Sequence, residues 1–243
     1  VNLLSGRDDF LKRLWRGETV LSLPIKSDVV LKDALGTPLR EQNSMFVGAP
    51  IIDEEGNVLA LLTFRLDPSQ DYYPILERGS IGESGESYAL SQNGTLLSQS
   101  RFWDQLVALD LLKSNQVATL NLKIVDPGVN LIDRPTAGLP MELRPKTKMA
   151  QGIFNKTQGH DWSGYRDYRG VDVIGSWRWV SALGYGITSE IDADEAFSVL
   201  LLTKKVITIF SIAVSLLLLG LAVLFNKGQR DLVKSETQIR TLI

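Results

Sequence analysis

Residues 206–225 read VITIFSIAVSLLLLGLAVLF, twenty residues without a charge. An α-helix rises about 1.5 Å per residue, so the run spans about 30 Å, the thickness of a bilayer's hydrocarbon core. The alternative is a helix buried in a soluble domain. That helix needs cover on every face, and 243 residues leave little chain to supply it. Lys204 and Lys205 flank one end of the run; Asn226, Lys227 and Arg230 flank the other. A transmembrane helix is expected over 198–226, with 206–225 as its span.

The flanks set an expected orientation. After the run come Lys227, Arg230, Lys234 and Arg240 against Asp231 and Glu236; before it stand 22 basic against 26 acidic residues. The positive-inside rule then places the C-terminal stub in the cytoplasm and residues 1–205 outside, although Lys204 and Lys205 blur the count. Leu232, Ile239 and Leu242 in the stub are spaced as a short coiled-coil seam or as the apolar face of an ordinary helix. The chain opens on Val1 without a basic-then-apolar leader, and it is expected to be a piece of a longer protein.

Composition removes several function classes. There is no cysteine, so a thiol nucleophile, a cysteine-ligated zinc and a disulfide are excluded. The net charge of −2, without a basic block, argues against nucleic acid as a partner. GESGE at 82–86 superficially resembles a serine-nucleophile motif, but no strand-to-helix elbow or base accompanies it. Glu83, Glu86, Asp192 and Asp194 show no pairing across a recognisable cleft, so a glycosidase is not indicated either.

The outer region reads as two units of strands and helices. Short extended pieces are expected at VLSLPI and SDVVL within 18–33. MFVGAPII at 45–52 and VLALLTFRL at 58–66 pair through the turn DEEGN, and the second is apolar enough to be buried on both faces. Asp67-Pro68 starts a helix over 68–78, short or kinked by Pro74, with Tyr72, Ile75 and Leu76 inward. The second unit opens with IGESGESYAL, turns at Asn93-Gly94 and returns through TLLSQS. RFWDQLVALDLLK at 101–113 reads as a helix with Phe102, Leu106, Leu109 and Leu112 or Leu111 inward; 114–162 reads as a long irregular region.

YRDYRGVDVIGSWRW at 165–179 packs four aromatics and three arginines into fifteen residues. YRDYR is expected as one strand, Gly170 as the turn, VDVIGSWRWV as the next strand and GITSEID as a third. Trp177 and Trp179 share one strand face, with Arg178 on the other. A helix then starts near Asp192, with no Pro or Gly before Leu219, and runs into the apolar span. Antiparallel strands with helices to one side make an α+β architecture, here followed by one transmembrane helix.

SMFVGAPIIDEEGNVLALLTFRLDP, IGESGESYALSQNGTLLSQSRF and GYRDYRGVDVIGSWRWVSALGYGITSEIDADEAF together resemble the double-Cache, PAS-like extracytoplasmic sensor region of bacterial membrane receptors, in particular sensor histidine kinases. The resemblance covers nearly all of 18–200. It implies PAS-like modules: the remainder of a membrane-distal one over 1–78 and a membrane-proximal one over 79–197. The transmembrane helix follows, and a cytoplasmic linker helix starts at 227–243. It implies a preceding helix with its own span, and a kinase, cyclase or chemotaxis output after the linker. The single histidine, His160, lies outside on this topology and cannot serve as a phospho-acceptor.

The resemblance also implies where a ligand sits, between sheet and covering elements. In the proximal module the expected lining is Tyr88, Arg101, Tyr168, Trp177 and Trp179 with the 114–162 region. The alternative makes Trp177 and Trp179 sheet core, and Arg166, Arg169 and Arg178 solvated strand edges. In the distal module, amino-acid-binding members place an aspartate where Arg65 falls here. An arginine cannot meet an ammonium, so the implied ligand is a small organic anion. A register slip of two would instead turn Arg65 to solvent and leave Asp67 a helix cap. Asp28 is a further candidate. No cofactor or metal is implied, and the receptor is expected to act as a homodimer in the membrane. The competing classes are a membrane-tethered enzyme, for which no nucleophile or acid–base pair stands out, and a structural anchor.

Overall fold

The computed structural model describes residues 8–27 and 43–240, and side chains as far as Arg230. Asp28, the rest of the extended piece at SDVVL after Ser27, and Leu242 of the stub seam lie outside the described residues, as do the side chains of Leu232 and Ile239. Two compact units emerge, Val1–Ala196 and Phe197–Ile243.

The first sheet is built on a hairpin. Strands β3 (Asn43–Ile52) and β4 (Val58–Leu66) pair antiparallel from Met45↔Leu66 to Ile52↔Val58. Asp53 closes the turn by accepting from the backbone N–H of Glu55 and Asn57 at 3.0 and 2.8 Å, and Gly56 supplies φ +88°. Short strands β1 (Val20–Leu21) and β2 (Ile25–Lys26) add to the other side of β3. Helix α1 (Asp8–Trp15) packs on β3 at Gly48, where an added Cβ would lie 2.9 Å from Leu14.

One expectation for this sheet fails. β4 is not buried on both faces: Leu59, Leu62 and Phe64 are exposed. Among the described residues β4 pairs with β3 alone, so it is an edge strand. An apolar run cannot reveal how many of its sides find a neighbour.

Asp67 caps α2 (Pro68–Asp71), its carboxylate accepting from Ser69 N at 2.9 Å. Pro74 sits at the start of α3 (Tyr73–Glu77), so the predicted helix is broken at Tyr72. Tyr72, Tyr73 and Leu76 are buried, and Ile75 is exposed instead of inward. These side chains, with Met45, Ala89 and Tyr185, fill a core between the two sheets.

The second sheet has the order β5-β8-β7-β6, all antiparallel. Its strands are β5 (Glu86–Leu90), β6 (Gln158–Arg166), β7 (Asp172–Val180) and β8 (Tyr185–Asp192). The three-strand meander is as expected, with one shift. YRDYR is not a strand: β6 ends at Arg166, and Asp167–Gly170 forms the turn, with Gly170 at φ +79°. Asp167 drives that turn by accepting from the N–H of Arg169 and Val171 at 2.8 and 2.9 Å.

The opposite face of this sheet is covered by α4 (Trp103–Ala108), α5 (Lys148–Phe154) and the intervening chain, around Tyr88, Leu90, Phe102, Leu106, Met149 and Tyr168. The return after Asn93-Gly94 is a single bridge, Leu90↔Leu96, rather than a strand. Helix α4 is shorter than 101–113, and Leu106 and Leu112 face the core while Leu109 is half-buried. The region 114–162 is not wholly irregular, because Thr147 caps α5 and β6 begins at Gln158.

The last element, α6, runs from Ala193 to Arg240. Its apolar segment is long and apolar enough to cross a membrane, and none of it is buried in the protein. Thr208, Ser211 and Ser215 each donate a hydroxyl at 2.8 Å to the carbonyl four residues earlier, so their polar groups are satisfied within the helix itself.

Candidate functional site

The polar centre of the protein is the face of the second sheet that α4 and α5 cover. Glu86 and Glu190 are opposed across β5 and β8, and both are buried. Buried carboxylates are rare without partners. Here the partners are phenols. Glu190 accepts from Tyr88 Oη at 2.5 Å and from Tyr165 Oη at 2.7 Å, one on each oxygen. Glu86 accepts from Tyr168 Oη at 2.5 Å and from the backbone N–H of Arg101 at 2.8 Å. Tyr168 also meets Ser100 Oγ at 2.9 Å, and the rings of Tyr88 and Tyr168 stand edge-on at 5.9 Å.

The electrostatics follow from burial. Desolvation is the largest influence on Glu190, the negative charge of Asp167 adds to it, and the carboxyl is pushed up to about 8. Burial also raises Glu86, against the hydrogen bonds from Tyr168, Ser100 and Arg101 that favour its charged form. Tyr88 and Tyr168 are raised well above the usual phenol range by the same desolvation, so they stay protonated donors.

A buried ion cluster borders this centre. Arg169 donates to Asp167 at 2.6 Å and to Asp192 at 2.7 Å, and its guanidinium lies 3.5 Å from the centroid of the Phe102 ring. Burial works against its charge, but Asp167, Tyr168 and Asp192 outweigh it and the guanidinium is raised. Arg169 is therefore not a solvated strand edge. Arg166 and Arg178 are exposed, Arg166 gripping Asp126 at 2.9 and 3.0 Å.

A third feature joins the GESGE loop to α6. The Glu195 carboxylate, in the first turn of α6, accepts from the N–H of Glu83 at 2.8 Å and of Ser84 at 2.7 Å, and from the Ser84 hydroxyl. Ser84 Oγ in turn accepts from Asp192 N at 3.1 Å. Arg101 Nη1 donates to the carbonyls of Gly82 and Gly85. GESGE is thus clamped to the first turn of α6, with the helix's own Glu195 as the acceptor for the loop's donors.

The sequence-predicted residues divide accordingly. Tyr88 and Tyr168 come together in the carboxylate cluster, with Trp177 and Trp179 packed beside the same core. Gly152 and Gly159 lie against the Trp177 indole, where a Cβ on either would clash. Arg101 reaches the cluster through its backbone and the clamp through its side chain. Arg65 is exposed on β4 opposite Phe46, and its neighbours Thr63 and Phe64 are exposed too. Glu86, Glu190, Tyr165, Asp167 and Arg169 were not anticipated as site residues. Strand alternation carries the signal for Glu86, which must share a face with Tyr88. Among the described residues no group of three metal-binding side chains comes together.

No family model and no curated protein matches the chain. Solved structures do. The extracellular domain of mmHK1S-Z3, which its name assigns to a histidine kinase, is 15% identical over 75% of this chain and 52% of its own, with a TM-score of 0.43. The periplasmic sensory domain of the Campylobacter jejuni chemoreceptor Tlp1 is 13% identical over 75% of this chain and 53% of its own, with a TM-score of 0.40. The ligand-binding domain of the Pseudomonas aeruginosa amino acid chemoreceptor PctB, solved with L-Gln, is 14% identical over 78% of this chain and 58% of its own, with a TM-score of 0.41. The chain thus spans little more than half of each structure. At these TM-scores the functional reading stands on the chain's own residues.

Proposed function

We propose that this chain is the extracytoplasmic sensing region and following membrane helix of a bacterial receptor, a double-Cache sensor feeding a histidine kinase output. One observation carries the reading: β8, a central strand of the second sheet, ends at Asp192, and the helix that can cross a bilayer begins at Ala193. No loop separates the sensing core from the span. A change in the packing of β8 shifts the helix start, and a ligand that favours one packing shifts the population of two states. A cyclase or chemotaxis output after the linker suits the same outer region.

In this reading residues 1–205 are extracytoplasmic, with modules at 1–78 and 79–197, the stub is cytoplasmic, and the receptor works as a homodimer. The ligand is a small organic anion. Arg65 would meet it in the distal module; Arg101, Trp177, Trp179, Tyr88 and Tyr168 would shape a proximal site once the covering elements open. The segment itself senses and transmits and carries no catalysis.

The cysteine-free sequence makes the topology directly testable. In intact cells a membrane-impermeant maleimide should label Gln92→Cys, and should label Gly228→Cys after lysis alone. Labelling of both positions in intact cells, or of neither, sinks the reading.

A further inference from the structure

Glu86 and Glu190 are the buried titratable pair that a ligand reading leaves without a role. Their donors are unequal. One oxygen of Glu86 faces the backbone N–H of Arg101, which can only donate, so a proton on Glu86 has a single place, the oxygen that faces Tyr168. Glu190 has two phenols, and a phenol serves as donor or acceptor, so Glu190 can hold a proton without losing either partner. Two carboxylates on opposed residues of neighbouring strands resist double ionisation. Among the described residues no basic side chain pairs with Glu190 to relieve that.

The surrounding charges add to this. From β6, Asp161 lies on the same sheet face, tied to Lys148 of α5. From the β6–β7 turn, buried Asp167 adds its negative charge to the surroundings of Glu190 and is answered by Arg169, which also holds Asp192 of β8. Lys148 and Arg169 are thus paired with other carboxylates, and the crowding of negative charge is relieved by a proton on Glu190.

The pair also sits at one particular rung. Glu86 directly follows Gly85, whose carbonyl Arg101 holds, and Glu190 stands two residues before Asp192, whose N–H donates to Ser84. The next contact outward is the Glu195 clamp of α6.

We propose that Glu86 and Glu190 form a proton-binding pair, and that release of the proton from Glu190 spreads β5 from β8 and loosens the grip of loop 82–85 on the first turn of α6. The protein is then a sensor, through its core, of the pH on whichever side of the membrane this sheet lies, independently of any organic ligand and of membrane orientation. The elevated titration of Glu190, near 8, puts the change in a physiological window.

The test uses the full chain in lipid nanodiscs. Infrared difference spectra between about pH 6 and about pH 9 report a protonated buried carboxyl directly. Hydrogen exchange of 82–85 and 192–196, corrected for intrinsic rates, reports the clamp. We expect a carboxyl band that disappears with rising pH in the wild type and is missing in Glu190→Gln. Corrected exchange of loop 82–85 should rise about fivefold over that range in the wild type and stay constant in Glu190→Gln. Should Glu190→Gln not fold, Tyr165→Phe removes one donor to the ionised form and should move the band's midpoint upward. A wild type without the band, a band that persists in Glu190→Gln, a midpoint that Tyr165→Phe leaves in place, or loop exchange that ignores pH overturns the proposal.

Discussion

Ser84 gives its backbone N–H to the Glu195 carboxylate at 2.7 Å, across 111 residues of chain. A carboxylate in a helix's first turn usually accepts from backbone N–H groups within a few residues. Here the first turn of α6 is joined to a loop that leads into β5, so sheet and helix are fastened twice: by covalent continuity from β8 and by this clamp to the start of β5. Glu195→Ala should therefore accelerate amide exchange at Glu83 and Ser84 while leaving the β6–β7 hairpin unchanged. Hydrogen exchange followed by mass spectrometry checks both. The clamp is also pH-sensitive. The Ser84 and Glu83 donors hold Glu195 below its ordinary value, so its contribution is present above that value and is lost as pH falls through the lowered one.

Arg169 holds Asp167 and Asp192 together; Arg169 and Asp167 are buried, and Asp192 is half-buried. Arg169→Met keeps most of the packing over Phe102 but leaves Asp167 buried without a countercharge. It should cost about 3 kcal/mol or more, read as a lower denaturant midpoint of the solubilised chain. Arg169→Lys keeps the charge but cannot span both carboxylates with a planar fork, so it should lie between wild type and Arg169→Met.

Two glycines with the same backbone demand separate conformational strain from crowding. Gly170 has φ +79° and an added Cβ would fall 1.8 Å from the Val129 carbonyl oxygen; Gly184 has φ +73° and open space around it. Gly184→Ala should cost about 1 kcal/mol, from the positive φ alone. Gly170→Ala should cost about 3 kcal/mol or more, because backbone must move as well. Thermal unfolding of the two variants side by side checks the difference.

Much of the fold was legible because its signals are local. DEEGN and Asn93-Gly94 dictate turns through positive-φ glycines, and Asp67-Pro68 starts a helix wherever it stands. The charge-free run at 206–225 needs no partner to be read. The carboxylate cluster was not legible, and β8 shows why. In YGITSEID the alternation offers Ile187 and Ile191 to a core and Thr188 and Glu190 to water. The fold does the reverse: Thr188 and Glu190 are buried while Ile187 and Ile191 are half-exposed. The inversion depends on the hydroxyls of Tyr88 and Tyr165, from two other strands, and no local pattern announces them. Arg169 was misread for the same reason. Its partner Asp192 lies 23 residues on, and its stacking partner Phe102 lies far back in the chain.

Glu190 titrates near 8 in the folded chain and near the ordinary carboxylate value of 4.5 when unfolded. Between those values the folded state binds more protons than the unfolded state, so stability falls as pH rises. Burial shifts Glu86 and Asp167 in the same direction. The carboxylates shifted the other way, Asp53, Asp161 and Glu195, lose their contributions below their ordinary values, outside this window. The melting temperature of the full chain in nanodiscs should therefore drop by about 5 °C or more between about pH 5.5 and about pH 8.5. Glu190→Gln should flatten most of that slope and make the variant the more stable protein at the alkaline end, since an amide cannot ionise there. A melting temperature that climbs with pH across the window would mean that Glu190 is ionised in the folded core throughout.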